Sequence, residues 1–381
     1  MTANPKIAMI GAGAIGGSIS ALLDENGYHL MVFDKDNNHV EQVNSHGLLV
    51  DGLDGKRVYN NLNFQTELTG EFDIIFLAVK SISTRSAIDE LPKHLKPNGV
   101  LVSLQNGINN DQIMQKFSID QYIAGVVGYG ASNIEPGHIR ITSKEKSFVI
   151  GFLNGHVDDR IRLVAEVLGV VGEVTVSTNI LGDQWGKLAM NCIINPFCAI
   201  YDQTFGENVR NKHIRHQMQK VLAEVIAVGE KSGIQFTKLG KKYDIVKFFA
   251  LHNYMDEITK HKKSLKNKLL NSFEMFKSKL MLFLIISKHG KIKSSIWQDL
   301  QHGLKTEIDY LNGYIEVLGD EHNIETPMNT WVTREIRGLE KRIAMGMTYI
   351  EAMNDFSKEK ELAYNKLRRS ETVTLNKKNN N

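Results

Sequence analysis

A short apolar run, Lys6 to Ile10 (KIAMI), passes without a spacer into Gly11-Ala12-Gly13-Ala14-Ile15-Gly16, and the residues beyond it, Ser18 to Asn26, read as a helix. A buried strand that turns through three glycines into a helix commits this part of the chain to a parallel sheet covered by helices. Each glycine has its own reason. Gly11 allows the tight turn, Gly13 lets the backbone approach a pyrophosphate, and Gly16 permits close packing of helix on strand. The helix N-terminus adds free N–H groups and a positive dipole end. Gly11, Gly13, Ala14, Ile15 and Gly16 are therefore the candidate dinucleotide-binding residues, the plain alternative being a glycine-rich turn without a ligand.

The second strand, His29 to Phe33, ends at Asp34, 18 positions past Gly16. That is where the fingerprint expects a carboxylate for the ribose 2′-hydroxyl. Taken alone Asp34 argues for NAD, whereas Lys35 could pair with a 2′-phosphate and keeps NADP open. The bland reading is that Asp34 caps the helix beginning near Asn38. Leu48 to Tyr59, with its Asp-Gly turns, reads as a β-excursion. Phe72 to Val79 (FDIIFLAV) is a central parallel strand ending at Lys80, and Gly99 to Leu104 ends at Gln105-Asn106-Gly107. Ligands bind at the carboxyl ends of such strands, which makes Lys80 and Asn106 candidates, although Asn-Gly is also a turn signal. Tyr122 to Gly130, His138 to Ile141, Ser147 to Gly151 and Val174 to Ser177 supply further strands, with a helix from Asp158 to about Val170. The expected fold is α/β: an N-terminal Rossmann-type doubly wound sheet over residues 1–178, followed by an all-α C-terminal domain over 179–369.

In the helical part, Trp185 to Asp202 (WGKLAMNCIINPFCAIYD) places Lys187, Asn191 and Asn195 at intervals of four in an apolar run. At 3.6 residues per turn the three side chains share one face. Burying an ammonium and two amides is costly without partners, so the stripe reads as facing a polar cleft or ligand rather than solvent. Gln217 to Ser232 is amphipathic helix material. Ser294 to Gly313 (SSIWQDLQHGLKTEIDYLNG) holds Ser295, Glu307 and Asp309; two residues apart on a helix, the two acids cannot face one cleft, and composition does not choose between them. Pro327 reads as a break before a helix from Trp331 to Met345.

Composition excludes several classes. Lys and Arg number 46 against 43 Asp and Glu, a formal charge of +3, so nothing global argues for nucleic acid. The lysine-rich stretch 238–293, with its aromatics, reads as a solvated helical insert. Cys192 and Cys198 lack CxxC spacing and there is no HExxH, so no metal site is expected. The N-terminal residues have no signal-peptide pattern, and the apolar run Leu280 to Ile286 is far short of the ~20 residues that span a bilayer, which makes the cytoplasm the default and a membrane association unexpected. That run reads as core or a subunit contact, leaving a homodimer open. The polar tail 370–381 reads as disordered.

Taken together, GAGAIGG, Val79-Lys80, Gln105-Asn106-Gly107, the Lys187, Asn191, Asn195-Pro196 series, and Ser294-Ser295 through Gln298-Asp299 to Thr306-Glu307-Ile308-Asp309 with Asn312-Gly313 resemble the ketopantoate reductase family over about residues 6 to 340. The resemblance implies NADPH-dependent reduction of 2-dehydropantoate to (R)-pantoate, on the way to pantothenate and coenzyme A. By position it makes Lys187 the general acid and Glu307 the carboxylate that holds substrate and supports the lysine. Asn191, Asn195 and Ser295 correspond to substrate-binding groups, and Asn106 and Lys80 to residues lying between cofactor and substrate. The chemistry fits independently, since an ammonium beside a ketone oxygen both stabilises the alkoxide and supplies its proton. The chain departs from the family at Asp34 and Lys35, where an arginine is common, so NADH stands beside NADPH. It departs again in the length of 238–293. Two alternatives accompany the main reading: a related reductase of another 2-oxo acid, and a cofactor-binding regulatory protein without catalysis.

Overall fold

A computed structural model of the chain describes residues 4–53, 55–237 and 293–358. The stretch 238–292, with the Leu280 to Ile286 run, and the tail 370–381 lie outside the described residues. The chain divides into two compact units: the first runs through Ala189 and resumes at Gly229, and the second takes Met190–Val228 and the described residues from 293 onward.

The first unit contains β1 (Ile7–Ile10), α1 (Ala14–Glu25), β2 (Leu30–Phe33), α2 (Asn37–His46), β3 (Leu48–Gly52), β4 (Gly55–Tyr59), β5 (Asn63–Gln65) and β6 (Phe72–Leu77). It continues with α3 (Thr84–Ile88), β7 (Leu95–Ser103), α4 (Asn110–Ile113), β8 (Tyr122–Val127), β9 (Ala131–Glu135), β10 (His138–Ile141), β11 (Ser147–Phe152), α5 (Asp159–Gly169) and β12 (Glu173–Val176). The main sheet has the order β12-β11-β8-β7-β6-β1-β2-β5. Its centre is buried on both faces. In β1 and β6, Ile7, Met9, Ile74 and Phe76 enter one apolar cluster with Ile19, Ala21 and Leu23 of α1, while Ala8, Ile10, Ile75 and Leu77 enter the other with Ala87 and Ile88 of α3 and Ile113 of α4. Alternating side chains each find a core, which is why these strands read as unbroken apolar runs. Burying each of the larger side chains among them contributes about 1.5–3 kcal/mol.

Two departures from a simple doubly wound sheet occur. Strand β11 runs antiparallel to β8, with β12 parallel to β11. No helix lies between β8 and β11 to make the crossover that parallel pairing demands. The segment His138 to Ile141 leaves the main sheet altogether: β10 joins β4, β3 and β9 in a second, four-stranded sheet, pairing parallel with β3 in the register His138 to Leu49.

The second unit is helical throughout its described residues. Helix α6 (Ile180–Tyr201) starts in the first unit and ends in the second, followed by α7 (Phe205–Arg210), α8 (Lys212–Lys231), α9 (Ser295–Gln301), α10 (Asn312–His322) and α11 (Pro327–Ala344). Leu188, Ala189, Cys192, Ile193, Phe197 and Cys198 of α6 are buried, and both cysteines are free thiols whose ionisation burial opposes. Pro327 is the first residue of α11 rather than a break ahead of it. A proline at that position has no N–H to leave unsatisfied. The next two N–H groups, of Met328 and Asn329, donate to the Glu224 carboxylate of α8 at 2.9 Å each, which caps the helix from a distance.

Candidate functional site

The parallel register lines up the ends of three strands with the middle of a fourth. Ile10 pairs with Leu77, Leu77 with Ser103, and Ser103 with Ala124. Three residues beyond that row in each chain segment stand Gly13, Lys80, Asn106 and Val127. The carboxyl edge of the sheet therefore gathers the glycine loop, Lys80 and the Gln-Asn-Gly turn, as expected of a ligand-binding edge.

Sterics fix the glycine loop. Gly11 has φ +94, and a Cβ there would lie 2.8 Å from Val79 N; a Cβ on Gly16 would lie 1.9 Å from the Gly11 carbonyl oxygen. At Gly13 the space is open, the nearest atom being Asn133 Nδ2 at 3.8 Å. Gly13 is also the N-cap of α1 and supplies no side-chain cap, so the first-turn N–H groups beside Ala14 and Ile15 face that opening. A dinucleotide's pyrophosphate fits this cradle. The loop is braced from behind. Ala12 N donates to Asp34 Oδ2 at 2.6 Å, and Ala12 O lies 3.1 Å from His39 Nε2. His39 Nδ1 accepts from Gly137 N at 2.9 Å, which assigns the proton to Nε2. Asp34 does not cap α2; Asp36 does, accepting from His39 N. Exposed Lys35 donates to Ser86 Oγ at 3.3 Å.

A buried amide network holds the neighbouring turns. Gln105 Nε2 donates to Val79 O at 3.0 Å and Thr84 Oγ1 at 2.8 Å, while Ser103 Oγ donates to its Oε1. Ser81 Oγ and Asn109 Nδ2 both donate to the Asn106 carbonyl, at 2.8 and 2.9 Å. Lys80 is exposed and Asn106 half-buried on this frame.

Lys187 reaches the same edge: its half-buried Nζ donates to Val127 O, at the end of β8, at 2.9 Å. The start of α6 is anchored in the first unit. Gln184, one turn before Lys187, accepts from Asn110 Nδ2 at 2.9 Å, and Asn110 Oδ1 takes the Tyr122 hydroxyl at 2.8 Å. Asp183 accepts from Ser177 Oγ at 2.5 Å and Thr237 Oγ1 at 2.6 Å. These ties set the rotation of the helix that carries the lysine.

In the second unit, Asn191 is half-buried and Asn195 buried on α6. Ser294 is the buried N-cap of α9, accepting from Trp297 N at 3.2 Å and donating to Asn195 O at 2.7 Å, whereas Ser295 is exposed. Glu307 is 9% exposed. Its neighbours are clamped to α11: Thr306 donates through N and Oγ1 to Glu340 Oε1 at 2.8 and 2.7 Å, and Asp309 accepts from Arg337 at 2.8 Å. Between the two acids that composition left undecided, Glu307 is thus the buried one and Asp309 the one in a surface ion pair. Among the described residues no group of three His, Cys, Asp or Glu is placed to hold a metal ion, and no helix is long and apolar enough to cross a membrane. Sequence reading passed over Asn110 and Gln184, and named Gln105, Ser294 and Asn312 within motifs without giving them a role. The one available signal was their density of amides and hydroxyls beside the motif residues.

Comparison with known proteins adds a family. The description "Ketopantoate reductase PanE/ApbA" matches residues 7–155, and its C-terminal counterpart matches residues 179–340. The 2-dehydropantoate 2-reductase of Archaeoglobus fulgidus is 27% identical over 336 residues, covering 88% of this chain and 98% of that protein. A PanE/ApbA family ketopantoate reductase from Ralstonia eutropha JMP134 superposes with a TM-score of 0.71 at 24% identity, covering 89% of this chain and 99% of the other. D-mandelate dehydrogenase, solved with NADH and anilino(oxo)acetate, superposes with a TM-score of 0.73 at 20% identity over the same shares. These two likenesses establish the fold.

Proposed function

The chain belongs to the ketopantoate reductase family and is an NAD(P)H-dependent oxidoreductase acting on a CH-OH group, and we propose that it reduces the ketone of 2-dehydropantoate to give (R)-pantoate. The observation that supports this most is the Lys187 ammonium, held by a main-chain carbonyl at the sheet edge that also carries the glycine loop. A carbonyl orients the amine without neutralising it. Gly11, Gly13, Ala14, Ile15 and Gly16 would hold the pyrophosphate of a reduced nicotinamide dinucleotide, which would supply the hydride.

The remaining steps belong to the chain's own residues. As the carbon–oxygen π bond opens, Lys187 gives its proton to the ketone oxygen, and the amine left behind regains one from solvent. Asn191, Asn195 and Ser295 hold the substrate's carboxylate and hydroxyl groups without adding charge. By family likeness Glu307 is the carboxylate that holds the substrate. Lys80 and Asn106 border cofactor and substrate. For the cofactor, Asp34 at the end of β2 supports NADH over the NADPH that family likeness suggests, because a carboxylate there accepts ribose hydroxyls and repels a 2′-phosphate.

The test is a spectrophotometric assay of 2-dehydropantoate beside a panel of other 2-oxo acids, run in parallel with NADPH and NADH. Turnover of 2-dehydropantoate, lost on the order of 10²–10⁴-fold in kcat for Lys187→Ala with cofactor binding retained, is the expected result. Unchanged turnover by Lys187→Ala ends the general-acid role. Preference for another 2-oxo acid reassigns the substrate, and cofactor binding without any turnover favours the regulatory alternative.

A further inference from the structure

Residue 196 of α6 is a proline, so it cannot give the backbone N–H that the Cys192 carbonyl, one turn earlier, would accept in an unbroken helix. Asn312, wholly buried at the start of α10, supplies a donor in its place: its Nδ2 stands 3.1 Å from Cys192 O, across 120 residues of sequence. The amide is itself held. The same Nδ2 donates to Asn329 Oδ1 at 3.0 Å, and Asn329 Nδ2 donates to Glu224 Oε2 at 2.7 Å and Val221 O at 3.3 Å. Both partners of Asn312 Nδ2 are acceptors, which fixes the orientation of its amide. Next to the proline, the Asn195 carbonyl takes a second side-chain donor, the Ser294 hydroxyl at 2.7 Å.

We infer that Asn312 is a positioning residue for substrate, closing the proline gap in α6 and so holding the stretch of helix that carries Asn191 and Asn195. Those two residues adjoin the spliced groups: Asn191 precedes Cys192, and Asn195 precedes Pro196. The geometry of a helix at a proline depends on what inserts into the opened ladder, and a buried carbonyl left unanswered would draw in water or let the local geometry drift. A rigid buried amide fed by Asn329 and Glu224 removes that freedom. The inference rests on the proposed role of Asn191 and Asn195 in holding a 2-oxo acid.

The experiment uses the full chain with the 2-oxo acid it turns over best, and reads steady-state kinetics, cofactor titration and thermal unfolding together. Asn312→Ala raises KM for the oxo acid on the order of tenfold to a hundredfold, because small misplacements of binding groups are costly. Its cofactor affinity stays within about twofold, since Asn312 lies in the second unit and the glycine loop in the first. Pro196→Ala gives Cys192 O its main-chain donor back, so the melting temperature holds or rises while KM still increases, because the stretch carrying Asn191 and Asn195 is no longer set by Asn312. This second variant carries the test if Asn312→Ala does not fold. An Asn312→Ala protein with lowered melting temperature but wild-type KM, or a Pro196→Ala protein with wild-type KM, overturns the inference and leaves the functional reading standing. A wild-type protein that reduces no 2-oxo acid with either cofactor overturns that reading, and the inference with it.

Discussion

At the carboxyl edge of the main sheet, main-chain atoms do the placing. Gly11 and Gly16 are where no side chain fits, Val127 offers its carbonyl to Lys187, and Asn106 is fixed by donors to its own backbone oxygen. In the second unit the relation is reversed. The hydrogen-bond ladder of α6 lacks one donor at Pro196, and the side chain of Asn312, 120 residues from Cys192, supplies it, while Ser294, 99 residues from Asn195, adds a second donor beside the gap. The first region is specified by short words of sequence, so it tolerates change poorly at single positions and well elsewhere. The second is specified by pairs and relays, so a substitution there is felt at residues it does not touch in sequence.

The comparison is most exposed to failure at Gly16. Its Cβ would collide with main-chain oxygen, so Gly16→Ala is expected to cost about 3 kcal/mol or more of stability, read by denaturant unfolding. A well-folded variant would show that main-chain crowding does not govern this edge.

The relay in the second unit makes a prediction with a sign. Burial pushes the Glu224 carboxyl up from 4.5 to about 7, against the opposing pull of the Met328 and Asn329 N–H groups. Between those two values the folded chain binds a proton that the unfolded chain lacks, so this group's stabilisation is full below about pH 4.5 and falls as pH rises through 7. The loss is at most about 3 kcal/mol. Glu224→Gln should flatten that part of the stability–pH profile, as followed by thermal melts from pH 4.5 to 8.5. A wild-type profile that instead rises across this window contradicts the buried-acid account.

Smaller effects sharpen the picture. Gly13→Ala meets open space, so its melting temperature should match the wild type while cofactor affinity drops on the order of tenfold, measured by fluorescence titration. Asp34→Ala should shift the NADH to NADPH ratio of kcat/KM toward NADPH by roughly tenfold, an effect about as large as one lost charge-assisted hydrogen bond.

What could be read in advance follows the same division. The strand–glycine–helix word, the apolar strand at Phe72 and the fourfold spacing of Lys187, Asn191 and Asn195 are local, and local spacing survives folding unchanged. The transfer of His138 to Ile141 to a second sheet depends on pairing with Leu49, 89 positions away by sequence number, and no periodicity announces it. Pro327 was misread because a proline looks the same before a helix as at its first residue; the deciding group, Glu224, is 104 residues away from Met328. Likewise the buried cap Ser294 and the exposed Ser295 are adjacent identical letters, and only the position of the Asn195 carbonyl tells them apart. The choice between Glu307 and Asp309 was open for the same reason and is decided by Arg337 on another helix.

The proline in α6 has a consequence for descent. A lineage that replaces Pro196 by a residue with an amide hydrogen releases position 312 from its duty, while one that loses Asn312 first carries an unanswered carbonyl in its interior until position 196 changes too. Of the two orders of change only the first spares the fold, and since both disturb substrate binding the two sites should vary as one character.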